Sequence, residues 1–335
     1  MIMNKTAVVI LNWNGIKLLK RFLKRVVDNT DKADIIIADN NSDDGSTEWV
    51  NAEYPAIRII RFSENLGYAA GYNRAIFQLS EYDNIIMLNS DAAPEKDWIA
   101  PLLNTLEEKS VVGVQPKILS EVNHAEFEYA GACGGFIDRN GYPYCRGRIF
   151  STVESDSGQY DTPIEIFWAS GAALAVKREA FINVGGFDDN FFAHMEEIDL
   201  CWRLRLNGGK IVCEPESIVY HLGGGTLDNA SSQKTYLNFR NNLLMLFKNL
   251  PHKKGKTWII TRRRLYDTLA FISYVIQGKF GHAGAVLRAH RDYRKMKNQY
   301  GIFPKRNLLT DIRRRNIIID YFLKRKKTFR DIQVR

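Results

Sequence analysis

A carboxylate in the first third of the chain has the chemistry of a metal ligand. Asp91 follows the apolar run 85–88, within the triplet Asn89-Ser90-Asp91. A carboxylate at the end of a strand suits a hard cation such as Mg²⁺ or Mn²⁺, and that cation would neutralise a diphosphate leaving group. Serine and aspartate after a strand are also common in turns and as helix N-caps. The residue types alone leave both interpretations open.

A second acidic segment has the residue types of a general base. Glu196, Glu197 and Asp199 fall within four consecutive positions after the apolar pair Phe191-Phe192. Glu196 and Asp199 are three residues apart, which places them on one helix face. Mutual repulsion raises the pKa of clustered carboxylates towards the range of a useful base. Acidic residues also favour the first turn of a helix because the helix dipole stabilises them there.

A histidine and a glycine-rich segment complete the candidate chemistry. His221 ends an apolar stretch and precedes three glycines, so it could bind a metal while the glycines admit a phosphate. A structural histidine beside a flexible hinge is the alternative. The segment 65–74 opens a helix with small residues that allow close packing against a sheet or a ligand, and its glycine spacing excludes a GxGxxG fingerprint.

The elements that must position these residues alternate between strand and helix. Apolar runs at 6–11, 35–38, 57–60 and 85–88 predict strands, and helical spacing predicts helices at 16–29 and 68–79. This order predicts a mostly parallel wound sheet, whose ligands bind beyond the carboxyl ends of the strands. Polar loops follow three of these runs and begin at Asn12, Asp39 and Asn89. Further along, 119–163 reads as a long loop or small excursion that could cover a site, and 198–206 and 236–249 read as helices.

Charge divides the chain into an acidic body and a basic end. Residues 251–335 contain 23 Lys and Arg against 5 Asp and Glu, and the rest contains 24 basic and 33 acidic residues. We therefore predict a catalytic domain over 1–250 and a basic, helical extension over 251–335. Predicted helices at 258–277 and 282–297 mix apolar and basic residues, which favours either an anionic membrane surface or packing on the catalytic domain.

The remaining composition favours the cytoplasm. The four cysteines form no CxxC pair, which argues against a zinc site or a disulfide framework. No secretory signal pattern is recognisable, and no apolar run approaches the roughly 20 residues of a membrane span. We expect a cytoplasmic protein, peripheral on the inner face of the cell membrane if the basic extension binds lipid.

As an ordered set, the segments 8–15, 35–46, 64–76, 85–99, 170–208 and 219–226 resemble inverting family 2 glycosyltransferases of the GT-A fold, especially the rhamnosyltransferase-like branch. The resemblance covers roughly residues 5 to 245. It implies an α/β wound sheet flanked by helices, a bound Mg²⁺ or Mn²⁺, a UDP- or dTDP-linked sugar as donor, and a glycan or lipid-linked glycan as acceptor.

The resemblance also implies roles for individual residues. Asp91 would bind the metal, and His221 would contact the metal or the diphosphate. Glu197 would be the base, although the family usually has Glu-Asp where this chain has Glu196-Glu197, so Glu196 and Asp199 stay candidates. The donor would be bound by Asp39 at its base, with Asn12, Asn14, Asn65, Gly71 and Asn73 nearby.

Two other functions compete with this interpretation. A nucleotide-sugar nucleotidyltransferase should carry a basic, glycine-rich loop after the first strand, and the loop Asn12-Trp13-Asn14-Gly15 has no basic residue. A nucleic-acid or other anionic-polymer binder would use the basic extension. That extension has few aromatic residues at stacking spacing and the body is acidic, so we expect no nucleic-acid partner.

Overall fold

The computed structural model describes residues 4–223, 231–251, 254–301 and 315–333. Its first half follows the predicted alternation closely, with boundaries displaced by one or two residues. One helix, Ser46–Glu53, was not expected, because it begins inside the polar cluster after the second strand. The elements are β1 (Thr6–Asn12), α1 (Ile16–Asn29), β2 (Asp34–Asp39), α2 (Ser46–Glu53), β3 (Arg58–Arg61), α3 (Gly67–Gln78) and β4 (Asn84–Asn89).

The second half adds strands and helices around this unit. They are β5 (Ala92–Pro94), α4 (Ile99–Glu107), β6 (Val111–Ser120), β7 (Gly135–Ile137), β8 (Pro143–Cys145), β9 (Arg148–Ile149), β10 (Thr152–Val153), β11 (Ile164–Ile166), β12 (Ala173–Lys177), α5 (Arg178–Asn183), α6 (Glu196–Leu206), β13 (Lys210–His221), α7 (Ser232–Asn249), α8 (Lys254–Ile276), α9 (Phe280–Met296) and α10 (Phe329–Gln333).

The main sheet has nine strands in the order β11-β13-β6-β12-β4-β1-β2-β3, and β5 pairs with β13. Strands β4, β1, β2 and β3 are mutually parallel, and β13 is parallel to β6. Strand β12 is antiparallel to both β4 and β6, so it joins the four parallel strands to the parallel pair β6–β13, while β11 and β5 pair antiparallel with β13. The predicted α/β wound sheet flanked by helices is confirmed as a mixed sheet with helices at the C-terminal end.

Apolar side chains alternate between the two faces of the central strands, as period-two strands require. On one face Val8 and Ile86 pack with Leu19 of α1 and Trp98. On the other face Val9 packs with Tyr72 of α3 and with Phe181. Burial on both faces explains why these strands read as continuous apolar runs in the sequence.

The region 119–163 is more ordered than a loop. Strands β7 to β10 form a second, four-stranded sheet. Its strands are two or three residues long, too short to show a period in the sequence. Phe329 of α10 is fully buried and packs on Phe136, Tyr144 and Tyr160 of this region. The basic extension therefore returns to cover the second sheet, and the domain boundary at residue 250 stays a prediction.

Among the residues described, no helix is long and apolar enough to cross a membrane. All four cysteines are buried free thiols.

Candidate active site

The loops after β1 and β2 are joined by the amide of Asn12. The two strands end side by side, with Asn12 paired to Asp39. Asn12 is fully buried, and its Nδ2 donates to Asp39 Oδ1 at 3.1 Å, Ser42 Oγ at 3.0 Å and Ser46 Oγ at 2.8 Å. Asp39 Oδ2 accepts from the Ser42 amide at 3.1 Å. Asn12 thus fixes the orientation of the Asp39 carboxylate.

Asn14 and Asn65 also hold loops together. Asn14 lies at the surface with a positive φ of 48°, which asparagine tolerates better than most residues, and its Oδ1 accepts from the Asp43 amide at 2.9 Å. Asn65 Oδ1 accepts from Asn40 Nδ2 and from the Gly67 amide, both at 2.9 Å. Asn40, which sequence reasoning did not single out, links the loop after β2 to the start of α3.

Gly71 and Asn73 position helix α3. A Cβ at Gly71 would lie 2.9 Å from Leu11 Cδ1, so glycine lets α3 approach β1 closely. Asn73 is buried, and its Nδ2 donates to the Phe187 carbonyl at 2.9 Å and to Asp189 Oδ1 at 2.7 Å. These contacts give both residues a supporting role, and direct contact with a donor stays a prediction.

Asp91 lies against His221 across the β5–β13 pairing. Ala92 of β5 pairs with His221, and the Leu222 amide donates to the Asp91 carbonyl at 3.0 Å. His221 Nε2 is 3.0 Å from Asp91 Oδ1, and its Nδ1 is 3.5 Å from Glu128 Oε1. All three side chains are buried. The N-cap interpretation of Asp91 is wrong, because the strand β5 follows it directly.

The surroundings of His221 favour the charged form of its imidazole. Burial alone would lower the pKa of His221, but hydrogen bonding and attraction to Asp91 and Glu128 outweigh burial and raise the pKa to about 10. The cluster therefore has one imidazolium between two carboxylates. Glu128 comes from the region that the sequence showed only as irregular, so no sequence signal identified it.

The donor set fits a divalent cation with incomplete protein coordination. A carboxylate from Asp91 and an imidazole from His221 are acceptable ligands for Mn²⁺. Within the described part of the chain, no group of three or more His, Cys, Asp and Glu side chains is arranged to hold a metal ion. Mg²⁺ and Mn²⁺ in phosphate sites commonly take their remaining ligands from water and phosphate oxygens. Two protein ligands are consistent with that pattern.

The backbone before α6 is strained and is held by helix α7. Phe192, His194 and Met195 have φ values of 62°, 68° and 73°, a left-handed conformation that is costly for residues with a Cβ. Asn241 Nδ2 donates to the carbonyls of Phe191, Ala193 and His194 at 3.0, 2.9 and 2.7 Å. This single amide thus accounts for three backbone acceptors of the turn that presents Glu196 and Glu197.

Opposite this turn, α3 makes a close approach that requires glycine. The Phe192 carbonyl accepts from the Tyr68 amide at 3.1 Å. Gly67 has a φ of 76°, and a Cβ there would lie 2.7 Å from the Phe192 ring. The turn before α6 is therefore fixed from two sides.

In the part of the chain that the structure describes, no cationic side chain forms a salt bridge with either of the two glutamates at the start of α6. Burial raises the pKa of Glu197 to about 7, although backbone amides at the start of the helix oppose this. Burial and the neighbouring Glu197 raise the pKa of Glu196 well above its ordinary value. Among the described residues, neither Glu196 Oε2 nor Glu197 Oε2, both buried, has a hydrogen-bond partner. Such oxygens can accept a proton or a hydrogen bond from a ligand.

Asp199 has the opposite environment. It accepts from Arg203 Nε at 2.8 Å, Lys248 Nζ at 2.9 Å and Asn249 Nδ2 at 2.7 Å. Burial opposes its ionisation, but Arg203 and Lys248 hold its pKa below the ordinary value. Asp199 thus joins α6 to α7, and this structural role leaves Glu197 and Glu196 as the candidates for a base.

Both acidic groups interact electrostatically with Tyr68, a residue that the sequence did not identify as a candidate. The Tyr68 hydroxyl donates to the Gly171 carbonyl at 2.8 Å. Its pKa is raised well above the ordinary value, first by burial and then by Tyr72, Glu196, Glu197 and Asp91. The charges of Asp91 and Glu197 therefore both act on the hydroxyl of Tyr68.

Comparison with known proteins identifies the family of this site. The model of the family described as "Glycosyl transferase family 2" matches residues 7–185, more than half of the chain. The chain belongs to glycosyl transferase family 2. The matched range contains Asp39 and Asp91 and ends before the start of α6.

Similar proteins of known function are also glycosyltransferases. This family 2 member is 29% identical over 219 residues to N-acetylglucosaminyl-diphospho-decaprenol L-rhamnosyltransferase of Mycobacterium tuberculosis (strain ATCC 25618 / H37Rv), covering 61% of this chain and 71% of that protein. It is 23% identical over 292 residues to the low-salt glycan biosynthesis hexosyltransferase Agl10 of Haloferax volcanii, covering 81% and 89%. It is 22% identical over 259 residues to the rhamnosyltransferase WbbL of Escherichia coli K12, covering 75% and 94%.

Solved structures support the fold. A complex of GalNAc-T7 with UDP, GalNAc and Mn²⁺ aligns with a TM-score of 0.58 at 17% identity over 76% of this chain, which spans about half (49%) of that protein. The mannosyltransferase PcManGT from Pyrobaculum calidifontis, with GDP-Man and Mn²⁺, aligns with a TM-score of 0.52 at 13% identity, covering 89% and 84%. At these identities the likeness shows the fold alone.

The family assignment decides between the competing functions. This glycosyl transferase family 2 chain is a glycosyltransferase, as the sequence resemblance predicted, and its GT-A fold is confirmed. The nucleotidyltransferase and anionic-polymer-binding alternatives are not supported as its main function.

Proposed function

We propose that this chain transfers a hexose from a nucleotide diphosphate donor to a hydroxyl of a glycan or lipid-linked glycan, with inversion at the anomeric carbon. One observation carries the proposal: the carboxylates of Glu197, with a pKa of about 7, and of Asp91, which contacts His221, both act electrostatically on the hydroxyl of Tyr68. The names of the relatives, which include two rhamnosyltransferases and a glycan biosynthesis hexosyltransferase, support a role in making a cell-surface polysaccharide or glycolipid.

In the proposed reaction Glu197 is the base. Its buried Oε2 takes the proton of the acceptor hydroxyl while the hydroxyl oxygen bonds to the anomeric carbon. The bond from that carbon to the diphosphate oxygen breaks, and its electron pair leaves with the diphosphate. Attack from the opposite face in a single displacement inverts the configuration. A pKa of about 7 suits this task, because it balances the ionised fraction against basicity at neutral pH. The pKa of the neighbouring Glu196 is raised well above its ordinary value by burial and by Glu197.

Asp91 and His221 are the proposed ligands of Mg²⁺ or Mn²⁺. When bound, the cation supplies positive charge to the departing diphosphate. To act as a ligand, the His221 imidazole must release its proton, and the Asp91 and Glu128 charges that raise its pKa would then act on the cation. Glu128 faces the other ring nitrogen at 3.5 Å, so it would orient the ring in the way that outer-shell carboxylates do in metal sites.

The proposed donor site lies at the loops after β1 and β2. Asp39 would bind the base of a UDP- or dTDP-linked sugar, with Asn14 at the surface beside it. Asn12, Asn65, Gly71 and Asn73 would act mainly by holding these loops and α3 in place. We assign the reaction to the cytoplasmic side of the membrane, which is consistent with four cysteines that are all free thiols.

A donor screen tests the proposal with the full chain. Each of a panel of UDP-, dTDP- and GDP-linked sugars is added with Mn²⁺ or with EDTA, and the thermal midpoint and the release of nucleoside diphosphate are measured. We expect one donor to raise the midpoint and to be turned over. NMR of the sugar product then gives its anomeric configuration. A product with retained configuration contradicts the single displacement, and equal turnover in EDTA contradicts the metal.

A further inference from the structure

The outer face of helix α8 carries an apolar stripe that the described part of the chain leaves exposed. Trp258, Leu265, Leu269, Ile272 and Ile276 are 63%, 61%, 56%, 46% and 80% exposed. They follow one another at intervals of seven, four, three and four residues, which places them in one line along a helix. At 1.5 Å per residue the stripe is about 27 Å long.

The opposite face of α8 is the one that packs on the protein. Lys256, Ile260, Arg263 and Asp267 are buried, and they lie half a turn away from the stripe. Arg263 Nε donates to Asp267 Oδ1 at 2.8 Å, and Arg263 Nη1 donates to Asn242 Oδ1 of α7 at 2.6 Å. Helix α8 therefore packs on the core through the face opposite to the stripe, and the stripe makes no part of that contact.

Further exposed apolar residues lie in the last turn of α8 and in α9. Val275, Phe280 and Leu287 are 40%, 70% and 58% exposed, and the last two lie at the start and in the middle of α9. A run of this length is unusual on the surface of a monomer and marks an interaction site. We call these three residues and the five of the stripe the α8–α9 surface.

Charge around the α8–α9 surface identifies the occupant. Residues 254–301 contain eleven Lys and Arg and two acidic residues, Asp267 and Asp292. Asp267 is buried between Arg263 and His290, and Asp292 pairs with Arg291 and accepts from Tyr236. The basic residues Lys279, Arg288, Arg294 and Lys295 are exposed. A second copy of this chain would bring the same excess of positive charge, whereas an anionic bilayer offers both apolar depth and negative charge.

We propose that the α8–α9 surface lies in the interface of an anionic membrane, with the axis of α8 parallel to the bilayer and the stripe at the acyl boundary. Apolar area and attraction to anionic lipid together determine the strength of such binding. The inference goes beyond the proposed reaction and needs none of its residues. Its consequence for that reaction is that a lipid-linked acceptor would be presented to the enzyme from the same surface.

A vesicle flotation experiment with the full chain tests the proposal. Vesicles of phosphatidylcholine alone are compared with vesicles containing about a third phosphatidylglycerol. We expect flotation with the anionic vesicles, partial loss of it at high salt, and at least about a tenfold loss in the double variant Leu265→Glu/Ile276→Glu. Val122→Glu is the matched control, because Val122 is 78% exposed in a loop after β6, and it should float like the wild type.

Further measurements keep the result interpretable. Both substituted residues are exposed, so circular dichroism and release of nucleoside diphosphate from the donor in water should be unchanged. If the double variant nevertheless misfolds, Lys279→Glu/Arg288→Glu replaces it, with the same expected loss on anionic vesicles. Equal flotation of all variants, or none by the wild type, overturns the proposal. So does a dimer in analytical ultracentrifugation that the double variant dissociates, because a second copy would then cover the stripe.

Discussion

Two acidic groups act electrostatically on Tyr68, and their carboxylates have different surroundings. In the first group Asp91 and Glu128 share a protonated His221, whose pKa they raise to about 10. In the second group Glu196 and Glu197 have no cationic partner among the described residues, and burial raises the pKa of Glu197 to about 7. The first group thus has one imidazolium between two carboxylates, whereas the second is ready to take up a proton.

Neighbouring side chains, rather than residue type, therefore set the role of each acidic group here. Asp199 lies two residues after Glu197, yet Arg203 and Lys248 keep its pKa low. A carboxylate with a fixed cation is a poor base, because protonation would cost the ion pair.

Removal of the proton acceptor should break the contrast most severely. We expect Glu197→Gln to lower the transfer rate by about 10²- to 10⁴-fold, because an amide of the same shape cannot serve as a general base. The rate is measured with the donor found in the screen. Glu179→Gln on α5 is the control, since Glu179 is exposed. A nearly normal rate in Glu197→Gln, with a loss in Glu196→Gln instead, would move the base to Glu196.

Removal of the negative charge of Asp91 should have the next largest effect. We expect Asp91→Asn to weaken Mn²⁺ binding in the presence of nucleoside diphosphate and to lower transfer by about 10²-fold. Titration calorimetry measures the first and a rate assay the second. The pKa of His221 should fall as well, as seen by NMR of the imidazole, because one of the two carboxylates that raise it is gone. Asp97→Asn is the control, as Asp97 is exposed in the same region. Unchanged Mn²⁺ affinity would remove Asp91 as a ligand.

Loosening of the strained turn should have a smaller effect. Asn241→Ala removes the donor to three carbonyls before α6. We expect kcat to fall by about 10- to 100-fold with little change in the KM for the donor, because the glutamates lose their alignment. Asn238→Ala on the same helix is the control, since Asn238 Nδ2 donates to the Lys234 carbonyl within α7. If kcat is unchanged while stability falls, Asn241 supports the fold alone.

Titration of Glu197 should give the smallest effect. The ionised form is the active base, so the transfer rate should rise with pH by about tenfold between pH 6 and pH 8, around the pKa of about 7. The pKa of Glu197 in the folded chain lies above the ordinary 4.5, so between pH 4.5 and about 7 the native chain binds more protons than the unfolded chain. The free energy of unfolding therefore falls as pH rises through that range. Glu197→Gln should lose that part of the fall in thermal midpoint. A rate independent of pH would contradict a base with this pKa.

Much of the fold was predictable because its signals are local. The strands β1, β2 and β4 are buried on both faces, so they read as apolar runs, and α1 has a regular helical period. Helix α2 was missed because its start lies in a polar cluster. The second sheet was missed because its strands are too short to alternate, and their burial depends on α10, which lies almost 200 residues away in the chain.

The family, the order of the elements and the candidates Asp91, His221 and Glu197 were predictable from the sequence alone. Short-range patterns locate strand ends and helix starts, and the residue types at those positions then identify the candidates. Only the tertiary structure decided which of these groups are neutralised. Glu128 reaches His221 from 93 positions before it in the chain, and Lys248 reaches Asp199 from 49 positions after it. Charge compensation acts through space over a few ångströms, and linear spacing carries no record of such distances.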